Sequence, residues 1–264
     1  MKNLTINKAK SNSRWFLEML PINNLGEIRN KNFTCRAGWY YAKSHLSANK
    51  AQTFIIHRRS LMAWLWFSIF GYVLGSIPFG KILSSVVYGI DISSRGSGNI
   101  GATNVSRELG LGWGVVTLIL DMAKGWIPVL AYLSYISTDQ DSWALSFVAV
   151  APVLGHQFSI FSGLKGGKGV ATSLGVWLPL NPAAVITSLI PFIVCVAVWR
   201  YISIGSMALS ITVPLLHYLW GEEAAIFTAS VFMALLILYK HKSNIARILK
   251  GDEPRWKWNT QRKS

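Results

Sequence analysis

From Met62 onward the chain alternates between long apolar stretches and short loops that hold nearly all of its polar residues. An apolar stretch of about 17–25 residues matches the hydrocarbon thickness of a bilayer as a helix. In lipid the backbone N–H and C=O groups have no water to bond, so a spanning segment must satisfy them internally. The expected fold class is therefore all-α: a polytopic membrane protein of about seven transmembrane helices joined by glycine-rich loops. The segments fall near 62–86, 112–136, 143–161, 169–181, 183–200, 203–220 and 224–240. The fourth is short, starting at a glycine cluster and stopping near Asn181-Pro182. Composition agrees, with 52% hydrophobic and only 14% charged residues, against about 25% charged in a soluble domain.

Charge then sets the expected orientation. If the seven segments alternate, one side carries Arg95, Arg107, Lys165, Lys168, Arg200 and the tail from Lys240 to Lys263. The loops of the other side read STDQDS, LNP and GEE, with four acids and no Lys or Arg. Basic loops stay in the cytoplasm, so the C-terminus and the glycine-rich loops are expected there. Joining segments four and five into one would mix basic with acidic loops. The net charge of +15 thus reads as orientation and anionic ligands, and nucleic acid is not needed as a partner.

Residues 1–60 stand apart. They hold 11 Lys or Arg against two Glu, a charge of +9, and have no sustained apolar run. They lack the central region of a secretory signal. We expect a basic leader, disordered or a non-native extension, with an interfacial helix as the alternative. Residues 61–254 form the membrane domain, and 255–264 a basic cytoplasmic tail. Cys35 and Cys195 are far apart and read as a free thiol and a packing residue.

Three basic-side segments stand out. The first runs Arg95-Gly-Ser97-Gly98-Asn99-Ile-Gly101-Ala-Thr103-Asn104 and on to Arg107. Its glycines open the backbone, and its side chains and N–H groups can surround an anion. It reads equally as a solvated turn before a helix capped by Thr103 or Asn104. The second runs from Gly155-His156 to Thr172, with Lys165 and Lys168 bracketing Gly166 and Gly167 where the fourth segment begins. A glycine-rich turn entering a helix offers N–H groups and a positive dipole to phosphate. It is not a Walker A loop, because Ser162 and Gly169 stand where Gly and Ser or Thr are required. Lysines anchoring a helix at the headgroups are the plainer alternative. The third places His241, Asn244 and Arg247 at helical spacing on one side of a helix continuing from the seventh segment. It also reads as a basic tail on anionic lipid.

Asp121 and Lys124 lie three apart within the second segment, where ionisable groups face a polar interior. They can pair with each other, or Lys124 can lean toward the anion site. His217 and Glu222 have an acyltransferase-like spacing but fall on the acidic side. No Gly-x-Ser-x-Gly elbow supports a hydrolase.

Taken together, GSIPFG (75–80), GSGNIGATN (96–104), GHQF (155–158), KGGKGVAT (165–172) and HKSNI..R...G.E (241–253) resemble the acyl-phosphate glycerol-3-phosphate acyltransferase family, PlsY. The likeness runs from about Tyr72 to Pro254. Lys242 stands where the family often has Arg, and Gln157 where Cys is common. The resemblance implies a bacterial inner-membrane enzyme that moves an acyl group from acyl phosphate to position 1 of glycerol 3-phosphate, without metal or other cofactor. It implies catalytic roles for Ser97, Arg107, Lys168, His241 and Asn244. Substrate contacts are expected from Gly98, Asn99, Gly101, Thr103, Asn104, Lys124, His156, Lys165, Gly166, Gly167 and Arg247. Lys165 and its neighbouring glycines would seat glycerol 3-phosphate, and the acyl tail would lie between helices, in membrane lipid. The reading from another class is a membrane transporter of phosphate or a related anion, its basic loops lining an entrance.

Overall fold

The computed structural model describes residues 62–136 and 141–256, and among them every regular element is helical. The first apolar segment is α1 (62–75) followed by α2 (Phe79–Tyr88), together 27 residues from Met62 to Tyr88. The break between them falls before Pro78, which has no N–H to continue the ladder. A long connection then leads to α3 (Ala102–Leu109) and directly to α4 (Leu111–Tyr135). After α5 (Ser142–Gln157) and a basic turn come α6 (Val170–Leu180), α7 (Pro182–Trp199), α8 (Ile202–Leu219) and α9 (Ala224–Lys240). The last helix, α10 (Lys242–Lys250), leaves α9 at a bend of 49°.

Five helical segments are long and apolar enough to cross a membrane, or six if α9 and α10 count as one broken span. All seven expected segments are helices, but α6 has 11 residues and rises only about 16 Å. That falls short of the roughly 30 Å hydrocarbon core. Asn181 cuts α6 off and accepts from Ala184 N–H to cap α7, whose first residue is Pro182.

The packing is that of a membrane bundle. Large apolar side chains such as Ile186, Ile190 and Leu235 point outward, while small residues sit where helices touch. A Cβ on Gly125 would strike the Thr172 carbonyl, and one on Gly175 the Met122 backbone, so α4 and α6 approach backbone to backbone. Val129, Tyr132, Val148, Val176, Trp177, Leu209 and Met233 fill the centre. Two contacts sort the loops by end. Asn181 Nδ2 donates to Glu222 Oε1 at 2.8 Å, joining the loops after α6 and α8. Trp256 N–H donates to the Arg200 carbonyl at 2.6 Å, joining the C-terminal segment to the loop after α7. The leader 1–60 and the end of the tail lie outside the described residues.

Candidate active site

The first basic segment folds around one buried side chain. Asn104 Nδ2 donates to the carbonyls of Arg95 (3.0 Å) and Asn99 (2.9 Å), and its Oδ1 accepts from Ser97 N–H (3.0 Å). Asn104 therefore spends its hydrogen bonds on holding its own loop. Asn99 Oδ1 likewise accepts from Gly101 N–H at 2.9 Å. Gly98 takes φ of +71°, in the left-handed region that glycine enters without strain. The helix cap is Gly101, not Thr103 or Asn104 as the solvated-turn alternative had it, and no side chain caps it. The first N–H groups of α3 are left without a side-chain partner.

The second segment delivers another such helix end. Gly169, at φ +87°, precedes α6 and supplies no side-chain cap. Gly166 and Gly167 do not face the site. A Cβ on Gly166 would strike the His156 carbonyl, and one on Gly167 the His156 ring. These glycines let the turn lie flat against the end of α5, where Gly167 N–H donates to the His156 carbonyl at 3.0 Å.

At the third segment the expected continuous helix is bent. His241 sits at the corner between α9 and α10, where its Nδ1 lies 2.8 Å from the Ile237 carbonyl. Nδ1 must carry the proton to make that bond, which leaves Nε2 as an acceptor. The bend follows from local satisfaction, since a ring and a chain turn compete for the last carbonyls of α9. Asn244 Nδ2 and Ser203 Oγ both donate to Glu253 Oε1 at 2.7 Å, and Arg247 Nε donates to Glu253 Oε2 at 2.8 Å. Burial alone would raise the Glu253 carboxyl, but these three donors pull it below the usual carboxylate range. Arg107 Nη2 donates to the Pro254 carbonyl at 3.1 Å, so the C-terminal segment is tied across the site.

One cavity of about 320 Å³ gathers these parts. Its polar end has Ser97, Asn99, Gly101, Thr103, Asn104, Arg107, Lys168, His241, Asn244 and Glu253. Its apolar end lies among Leu118 of α4, Leu174 of α6, Leu189 and Phe192 of α7, and Leu209 of α8. All five expected catalytic residues meet there. Lys168, half-buried, has its ammonium pushed down to about 8, first by burial. Glu253 opposes that shift, while Arg247 and Arg107 reinforce it.

The remaining expected contacts lie elsewhere. Lys165 is exposed on the turn, and Gly98 is exposed on its loop. Arg247 is engaged with Glu253. Lys124 points away from the polar end: its Nζ lies 2.8 Å from Asp121 Oδ1 and donates to the Ile77 carbonyl at 2.9 Å, at the break between α1 and α2. His156, buried beneath the turn, has Nδ1 3.6 Å from the same Asp121 oxygen. Asp121, which also lines the cavity, and Lys124 form an ion pair inside the bundle, while His156 Nδ1 lies near it without a hydrogen bond of its own. Glu253 and Ser203 were not among the expected site residues. Glu253 ends the third motif, a signal within reach; Ser203 carries none, being one Ser in an apolar helix.

Comparison with known proteins identifies the family. A family model described as glycerol-3-phosphate acyltransferase matches residues 65–251. A glycerol-3-phosphate acyltransferase of Trichlorobacter lovleyi is 43% identical over 198 residues, 75% of this chain and 100% of that protein. One of Aquifex aeolicus is 40% identical over 195 residues, covering 74% and 100%. Two crystal structures of PlsY, an integral membrane glycerol 3-phosphate acyltransferase, are also similar. The glycerol 3-phosphate form has a TM-score of 0.69 at 39% identity, covering 74% of this chain and 96% of that one. The lysophosphatidic acid form has 0.66 at 37%, covering 74% and 95%. The chain is a multi-pass membrane acyltransferase and belongs to the glycerol-3-phosphate acyltransferase family.

Proposed function

We propose that this acyltransferase moves an acyl group from acyl phosphate to the position 1 hydroxyl of glycerol 3-phosphate. The products are lysophosphatidic acid and phosphate, and the step opens phospholipid synthesis. The observation that carries the reading is the two-ended cavity. Two helix starts without side-chain caps, Arg107 and Lys168 converge at one end, and Leu118, Leu174, Leu189, Phe192 and Leu209 line the other. A phosphate on a long acyl chain has that same polarity. Acyltransferase membership displaces the anion-transport reading.

The chemistry asks little of the protein beyond placement. An acyl phosphate is a mixed anhydride, so the glycerol hydroxyl can attack its carbonyl directly and phosphate departs with the electrons of the broken C–O bond. Arg107, Lys168 and the N–H groups of α3 and α6 would bind the donor phosphate and stabilise charge gathering on its leaving oxygen. Asn244 Oδ1, buried and unpartnered, and His241 Nε2 offer acceptors for glycerol hydroxyls. Ser97 would orient phosphate oxygens. The departing phosphate takes the hydroxyl proton, or His241 Nε2 does. Bringing both substrates into one cavity supplies the main rate gain.

The same reading puts the cavity at the cytoplasmic face of a bacterial inner membrane. The basic segments 95–107, 165–168 and 241–256 meet at the cavity end, while Asn181 and Glu222 join at an acidic loop cluster. Purified protein mixed with acyl phosphate and labelled glycerol 3-phosphate should yield labelled lysophosphatidic acid. A folded preparation that makes none would refute the proposal.

A further inference from the structure

We propose that the side chain of Gln157, a residue outside the cavity, positions Lys168 for the reaction. The inference rests on the role just assigned to Lys168. Gln157 is the last residue of α5 and is fully buried. Its side-chain Nε2 donates to the Lys168 carbonyl at 2.7 Å. Its backbone carbonyl accepts from Lys240 Nζ, also at 2.7 Å. Lys240 is the residue before His241, and its ammonium lies 4.3 Å from the Phe158 ring centre. One residue thus joins the turn that carries Lys168 to the corner that carries His241.

Both bonds serve groups that the helices leave open. Lys168 precedes the cap of α6, and the first ladder bond there runs from Ser173 N–H to the Gly169 carbonyl. The Lys168 carbonyl therefore depends on the Gln157 amide. Gly169 preserves the room for it, since a Cβ at 169 would come within 2.9 Å of Gln157 Nε2. The rest of the turn is set by Gly167 N–H on the His156 carbonyl, which leaves the amide to fix the height of Lys168 above α5. A clamp of this kind acts on the geometry of the ammonium and not on its charge. Gln157 is a positioning residue.

The test is a double-mutant cycle on the full chain, with turnover per folded molecule measured for Gln157→Met, Lys168→Ala and the pair. Gln157→Met keeps length and apolar volume but removes the donor. It should lower kcat about ten-fold, in keeping with the sensitivity of catalysis to small misplacements, while both KM values stay within about two-fold. In the Lys168→Ala background it should cost nothing further, because the group it positions is gone. If it lowers turnover by the same factor in both backgrounds, or leaves wild-type turnover unchanged, the proposal is overturned. Should Gln157→Met not fold, Gln157→Asn keeps the amide but retracts it by one methylene, and the same cycle applies. Near-normal turnover in Lys168→Ala alone would instead remove the role of Lys168, a failure distinct from additivity in the cycle.

Discussion

The alkaline limb of activity should belong to Lys168. A lysine in water titrates near 10.5, but burial brings this ammonium down to about 8. The difference corresponds to roughly 3 kcal/mol of destabilised positive charge, similar to the worth of one oxyanion-hole donor. The sign follows from the charged form: protonated Lys168 stabilises the leaving phosphate, and the proton is lost as pH rises through about 8. The value of kcat/KM should therefore be level near neutrality and fall about ten-fold per pH unit well above 8. Bound phosphate favours the ammonium, so the limb in kcat should lie at higher pH than that in kcat/KM. The assay follows labelled lysophosphatidic acid from pH 6.5 to 10, corrected for spontaneous acyl phosphate hydrolysis. Lys168→Arg is the control, because guanidinium does not titrate in this range. Its turnover should be reduced but its limb near 8 absent. A wild-type profile flat to pH 10, or an unchanged limb in Lys168→Arg, would refute the argument.

Four further outcomes can be checked. Gly166→Ala forces a Cβ onto the His156 carbonyl and should cut turnover about 10²-fold by lifting the turn. Gly163→Ala, at φ +60° but with nothing within 4 Å, should cost about 1 kcal/mol of stability and leave turnover near normal. Single cysteines at Glu223 and Lys250 should label from outside and only after permeabilisation, respectively; the reverse pattern would put the cavity on the other face. A chain lacking residues 1–61, which precede the matched region 65–251, should insert and turn over at the full specific rate.

The membrane segments were legible because lipid leaves the backbone only one general solution, and apolar length alone then locates each helix. The proposed catalytic positions were legible for a related reason. Arg107, Lys168, His241 and Asn244 stand at or just beyond helix ends, where charge is out of place unless it has a ligand or partner. What the sequence could not distinguish was a glycine that opens toward a ligand from one that lets two backbones touch. Gly101 lines the cavity, whereas Gly166 and Gly167 pack against His156 and Gly169 makes room for Gln157. The same ambiguity hid the fate of Asn104, whose amide is consumed by its own loop. It also hid Lys124, which faces the Ile77 carbonyl and not the phosphate end. Spacing gives the face of a helix but not what a bend elsewhere brings to it. The break before Pro78 and the corner at His241 are three-dimensional facts of that kind.

The charge around the cavity suggests how the two phosphates are held together. Arg247 and Glu253 neutralise each other, leaving Arg107 and Lys168 as two positive side chains at the polar end. The uncapped starts of α3 and α6 add about half a charge each, for a total near +3. The terminal phosphates of the two substrates carry about −1.5 to −2 each near neutral pH. The match is close only while Lys168 is protonated, and the site has little positive charge to spare for a third anion. Inorganic phosphate should therefore inhibit by competing with acyl phosphate for the Arg107–Lys168 end. Its inhibition constant should rise as pH passes through about 8, in step with loss of the Lys168 proton. In Lys168→Arg the constant should be nearly independent of pH over that range once the titration of phosphate itself is allowed for. Initial rates at several acyl phosphate and phosphate concentrations, taken at pH 7 and pH 9, give the constants. Inhibition that is noncompetitive with acyl phosphate, or equally strong at both pH values, would show that the two positive side chains do not hold the donor phosphate.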